Sequence, residues 1–198
     1  MTILAIILTA LIQQITQNIN EMTLDFESDP AKIEQIRELA DGGQNYLVYI
    51  LELFFKTPVE DDEVTEILSL QNENGSWKDI DYNDQKVSRC EQTLHAVRFQ
   101  RLAVYHRLHP ERNDVARALH AAISFWGSCM PVTRSWYYNQ VNIPKTFAPG
   151  FLLFKDEMSA KEKEIAVAQM SRAKLTRTGQ NLVWEAGNLL VAGLLSDN

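Results

Sequence analysis

Apolar residues in this chain recur three and four positions apart almost throughout, and no stretch of useful length alternates apolar with polar residues. That periodicity restricts the fold to helices. Asp29 and Pro30 read as an N-cap followed by a first-turn proline, and Ile33, Ile36, Leu39 and Ala40 then share one face. After Gly42 and Gly43 the pattern resumes with Tyr46, Leu47, Ile50, Leu51, Phe54 and Phe55, and Pro58 stops it. A short helix is expected from about Asp62 to Leu70, before the polar turn at 72–76. A long one should run from about Val87 to Leu108, and another from Asn113 or Asp114 through Phe125. Residues 129–150 carry Pro131, Pro144, Pro149 and Gly150 and read as loop-rich. Ser159-Ala160-Lys161-Glu162 is a capping box that should open a helix to about Leu175. Thr178 caps a last helix bearing Leu182, Val183, Trp184, Leu189, Leu190, Val191, Leu194 and Leu195.

Helices of this length joined by short loops imply an all-α fold of antiparallel helix hairpins. Stacked hairpins make a bundle, a solenoid or an α/α toroid, and periodicity alone does not choose among them. The last helix is apolar around most of its surface and needs cover on several sides. The expectation is therefore that a partner chain or further polypeptide covers it, the chain being a fragment.

Charge narrows the partners. The 198 residues carry a net charge of −7, unevenly spread. Residues 1–85 hold 17 acids against 4 Lys or Arg (−13), whereas residues 86–180 hold 15 Lys or Arg against 7 acids (+8). An acidic polymer would meet the second half, unless both halves are simply solvated helix faces. No basic run interleaved with aromatics points to nucleic acid. Residues 1–20 contain an apolar stretch at 2–12 that is too short to span a bilayer. It suits either a signal-peptide core, implying a secreted or periplasmic protein, or a buried first helix. Residues 21–198 then form the helical domain.

Chemistry-bearing motifs are few. Cys90 and Cys129 form no metal or C-x-x-C motif, and either a disulfide or two thiols fits them. His95, His106, His109 and His120 make no H-E-x-x-H, so no metal site is expected. Phosphate loops, dinucleotide fingerprints and G-x-S-x-G are absent, and no cofactor is expected. Two segments stand out. Residues 135–144 read Ser-Trp-Tyr-Tyr-Asn-Gln-Val-Asn-Ile-Pro, and neighbouring aromatics such as Trp136 and Tyr137 either plug the core or offer flat faces on which sugar rings stack. Thr178-Gly179-Gln180-Asn181 places Asn181 about three positions into a helix, near free N–H groups and the positive end of the dipole. An amide there can receive a carboxylate, or serve its own helix start.

Together these segments resemble polysaccharide lyase family 8, the hyaluronate, chondroitin AC and xanthan lyases. That family carries an aromatic loop N-W-W-x-N-E-I-G-x-P and later T-G-x-N. Trp136 and Tyr137 fall on the W-W pair, Asn139, Val141 and Pro144 match in kind and spacing, and Asn181 falls on the motif asparagine. Residues 74–82, Asn-Gly-Ser-Trp-Lys-Asp-Ile-Asp-Tyr, are similar to the family's D-G-S-W-x-D-I-x-Y, and His95 and Arg98 to its H-x-x-R. Ser135, Tyr137, Gln140 and Asn142 depart from the motif's Asn, Trp, Glu and Gly.

The resemblance implies part of an incomplete α/α toroid, and cleavage of a uronic-acid polysaccharide by β-elimination. Asn181 would bind the uronate carboxylate as charge moves onto it, and Trp136 and Tyr137, with Asn139, would position the chain. Arg134, Lys145, Arg172, Lys174 and Arg177 would line a groove for the polyanion. The family's catalytic His and Tyr lie beyond the T-G-x-N segment, and no residue here matches them, so the chain alone is expected to bind without turnover. Two other classes fit the same residues: a non-catalytic carbohydrate-binding module, and a helical protein-interaction scaffold using Trp136, Tyr137 and Tyr138.

Overall fold

A computed structural model describes residues 58–196. The helices expected before Pro58, and the apolar stretch at 2–12, lie outside the described residues. Among the described residues six α-helices occur and no strand, only an isolated bridge between Gln71 and Trp77. They are α1 (Asp61–Leu70), α2 (Thr93–Leu108), α3 (Asn113–Cys129), α4 (Ile143–Phe154), α5 (Ala160–Met170) and α6 (Gly179–Leu195).

Their arrangement follows from which residues meet. His95, near the start of α2, reaches the carbonyl of Ala122 and the ring of Trp126 near the end of α3, so α2 and α3 form an antiparallel hairpin. Along α2, His95 and Phe99 pack on Phe147, Phe99 also on Phe151, and His106 on Phe154. α2 and α4 therefore run parallel. Likewise His120 meets Glu162 and Trp126 meets Gln169, so α3 and α5 run parallel. The second hairpin, α4–α5, thus stacks on the first with its layers in register, and α6 packs beside α4 and α5. Burying Phe99, Trp126, Phe147, Phe151 and Phe154 in one aromatic seam supplies the apolar area that holds the layers together. Gly150 lets α2 and α4 approach, since a Cβ there would sit 2.8 Å from the Phe99 ring.

Local chemistry explains where these helices begin and end. Ser159 and Glu162 form the expected capping box at the start of α5. α2 starts at Thr93 and not near Val87, because Asp84 captures the backbone first. Its carboxylate accepts the N–H groups of Lys86 and Glu91, each at 3.0 Å, and its carbonyl accepts the Gln92 amide at 2.8 Å. α5 ends at Met170, well short of Leu175, which takes a left-handed φ of +50°.

The main departure is at 129–150, which reads as loop but is helical from Trp136 onward. A π-helical turn, Tyr138–Asn142, interrupts that helix before α4. Pro144 follows this turn directly, in the first turn of α4, where its missing N–H breaks no regular bond. The cysteines are free thiols, Cys90 buried and Cys129 exposed, so no disulfide forms.

Candidate saccharide-binding site

The segment 74–82 builds scaffold. Gly75 holds φ +89°, and a Cβ there would lie 2.0 Å from the Ala121 carbonyl oxygen. Trp77 is buried and donates its indole N–H to the Ile67 carbonyl at 3.1 Å. Arg98 grips Asp79 through two 2.6 Å hydrogen bonds. His95 is wholly buried; with its Nε2 donating to the Ala122 carbonyl at 3.2 Å, its Nδ1 accepts from the Tyr82 hydroxyl at 2.9 Å. Burial pushes His95 down to about 3 and Tyr82 up to about 12, so both are neutral at ordinary pH. A neutral, doubly bonded imidazole in the core is structural.

The aromatic segment is assembled by backbone clamps. Asn139 accepts the Thr133 N–H at 2.9 Å and donates to the Thr133 carbonyl at 2.8 Å, so both ends of its amide hold the loop before Trp136. Arg172 donates to the carbonyls of Met130 and Pro131 at 2.7 and 2.8 Å. The Tyr138 hydroxyl accepts the Arg89 N–H at 2.8 Å. Fixed this way, Trp136 stays 40% exposed, with its ring edge-to-face on Tyr137 at 6.0 Å.

The start of α6 lies against these rings. Trp184 sits 6.3 Å from Tyr137, and Asn188 donates to the carbonyls of Gln140 and Val141, both at 3.3 Å, within the π turn. A π turn withholds ordinary i→i+4 bonding, so its carbonyls are available to a neighbouring helix. Asn181, three residues before Trp184, shares its face. The Asn181 amide is half-buried and makes no side-chain hydrogen bond to the described residues. Thr178 takes the N-cap position, but its side chain makes no capping bond.

Cations sit on the rings. The Arg177 guanidinium lies 4.0 Å above Trp136, and the Lys145 ammonium 4.1 Å above Trp184. Burial against that ring and its surroundings pushes Lys145 below the usual lysine range. Arg134 and Lys174 are exposed. Three groups in these segments hold buried polar atoms without a partner among the described residues: Arg177 Nε, Gln140 Oε1 and both carboxylate oxygens of Glu185. Trp184 and Glu185 were not singled out by motif. The signal that would have found them is helical spacing, three and four residues on from Asn181. Among the described residues no group of three or more His, Cys, Asp or Glu could hold a metal ion, and no helix is long and apolar enough to cross a membrane.

Compared with known proteins, the sequence matches no family model and no curated protein. The structure superposes on solved chondroitinase AC lyase, whose active site was revealed by enzyme–oligosaccharide complexes and mutagenesis, with a TM-score of 0.68 at 19% identity. The match covers 77% of this chain and 24% of the lyase, so the chain spans about a quarter of that enzyme's length. At this identity the likeness establishes a shared helical fold.

Proposed function

We propose that this chain is the saccharide-gripping part of a polysaccharide lyase acting by β-elimination on a uronic-acid polymer of the glycosaminoglycan or xanthan kind. The observation that carries the reading is the contact of Tyr137 with Trp184, one turn beyond Asn181. It joins two segments, 44 residues apart, that were singled out separately for sugar stacking and carboxylate binding. The superposition on a chondroitin-cleaving enzyme supports the same substrate class.

In this reading Trp136 and Tyr137 stack on a sugar, Arg134 and Arg177 attract its acid groups, and Asn139 holds the loop that presents the rings. The unpartnered Asn181 amide donates to the uronate carboxylate. As the C5 proton leaves, charge moves onto that carboxylate and the hydrogen bond strengthens, which lowers the barrier. The base that takes the proton, and the acid that protonates the leaving oxygen, have no match in this sequence. A secreted or periplasmic setting suits a polymeric substrate of this kind. The chain alone binds and does not turn over.

Calorimetry with chondroitin and hyaluronan oligosaccharides tests binding, and the ultraviolet absorbance of unsaturated uronate tests turnover. Asn181→Ala should leave the fold intact and weaken binding of uronate-bearing oligosaccharides. Unchanged affinity would remove Asn181 from its role.

A further inference from the structure

Arg177 stands where a sugar would have to stand. Its guanidinium covers the Trp136 ring at 4.0 Å, the separation of stacked planes, while among the described residues its buried Nε has no hydrogen-bond partner and no carboxylate pairs with it. A guanidinium so placed is held by the ring quadrupole. A charge-assisted bond to a carboxylate is the stronger alternative. The segment carrying it is anchored at Arg172 and irregular beyond it. Residues 171–178 are non-helical between α5 and α6, and two left-handed positions bracket Arg177, Leu175 at φ +50° and Gly179 at φ +60°. Leu175 is an unbranched-at-Cβ but bulky residue in a region that L side chains rarely adopt, so its conformation is strained and relaxes if the segment shifts. A Cβ at Gly179 would meet nothing within 4 Å, so the side of the chain facing away from the core is open there. Lys145, by contrast, rides on regular helix over Trp184.

Resting on the saccharide-binding reading above, we propose that Arg177 is a charge-operated cover on Trp136. At rest it masks the indole from sugars. An acidic saccharide draws the guanidinium off the ring onto its own carboxylate, and the bared ring then takes the sugar's apolar face. A neutral saccharide offers no such pull and must displace the cation unaided. Charge selectivity thus comes from the cover as well as from attraction.

The test measures affinity of the whole chain, and of its Arg177→Gln variant, for a chondroitin oligosaccharide and for the same oligosaccharide with its carboxylates reduced to alcohols. Wild type should bind the acidic form and bind the reduced form at least tenfold more weakly. Arg177→Gln should lose affinity for the acidic form and gain severalfold for the reduced one, so that the ratio between them collapses. If the variant loses affinity for both, or the reduced form binds it no better than wild type, the cover does not exist and Arg177 is only an attractive charge. Trp136→Ala separates this from failure of the underlying reading. If that change leaves acidic binding intact, the stacking platform itself is wrong. If it weakens binding while the Arg177→Gln ratio stays at the wild-type value, only the cover is overturned.

Discussion

Glu185 is fully buried on α6, and neither carboxylate oxygen has a partner among the described residues. Burying an ionisable group without donors is unfavourable by a few kcal/mol, whichever form it takes. Glu185→Leu removes that penalty at similar volume and should raise unfolding free energy by about 1–3 kcal/mol, read as a higher urea midpoint at unchanged slope. A lower midpoint would mean that the carboxylate has a stabilising role. His95 makes the opposite kind of statement. Its folded-state value of about 3 lies below the ordinary 6.5, so the unfolded chain binds the proton more readily. The stability this group confers is complete above pH 6.5 and drains away as pH falls towards 3. Between pH 7 and pH 5 the loss amounts to about 2 kcal/mol. His95→Gln should flatten that part of the stability profile in urea titrations, whatever it does to stability at pH 7. A profile equally steep in the variant would assign the slope to other groups.

Elements whose ends are set by an adjacent reciprocal pair of side chains could be read from sequence, and those set by distant or competing partners could not. Ser159 and Glu162 announce α5 because both halves of the box lie within four residues. Ser159→Ala removes the hydroxyl's bonds to the Glu162 N–H and carboxylate and should cost about 1 kcal/mol. Glu162 also accepts from His120 Nδ1 on α3 at 2.8 Å, so Glu162→Ala should cost about twice that, measured side by side by thermal unfolding. Equal losses would show that the interhelical bond adds nothing. The segment at 129–150 was illegible for the complementary reason. Its prolines signal breaks, yet Arg172 and Asn188 reach in from far along the chain to hold backbone carbonyls that a loop would have left to water, and the Arg89 N–H anchors the Tyr138 hydroxyl. The start of α2 failed on competition: Val87 fits the helical pattern, but Asp84 offers the backbone a closer acceptor. Among the candidate site residues, periodicity placed Asn181 near the start of α6, and motif spacing found Trp136 and Tyr137. Nothing in sequence could show that Asn139 would spend both ends of its amide on Thr133. Nor could it show that Arg177 would lie on an indole.

For the whole molecule, the +8 balance of residues 86–180 suggests a broad cationic face, but five of its fifteen Lys and Arg side chains are already engaged. Lys86 pairs with Glu91, Arg98 with Asp79, Arg101 with Glu63 and Arg112 with Asp114, while Arg172 is committed to backbone carbonyls. What remains near the rings is small: Arg134 and Lys174 exposed, Arg177 and Lys145 resting on indoles. A polyanion would therefore be held by a few charges converging on an aromatic platform, and not by an extended field. Two consequences separate these pictures. With few cations engaged, raising salt from about 0.05 to 0.5 M, which shortens the screening length severalfold, should weaken chondroitin binding only modestly. Arg134→Ala combined with Lys174→Ala should make the remaining binding less sensitive to salt, whereas Trp136→Ala should lower affinity by a similar factor at every salt concentration, because stacking is not screened. Affinity that collapses with salt in wild type, and that Trp136→Ala hardly changes, would return the binding surface to the solvated helix faces and leave the rings without a role in it.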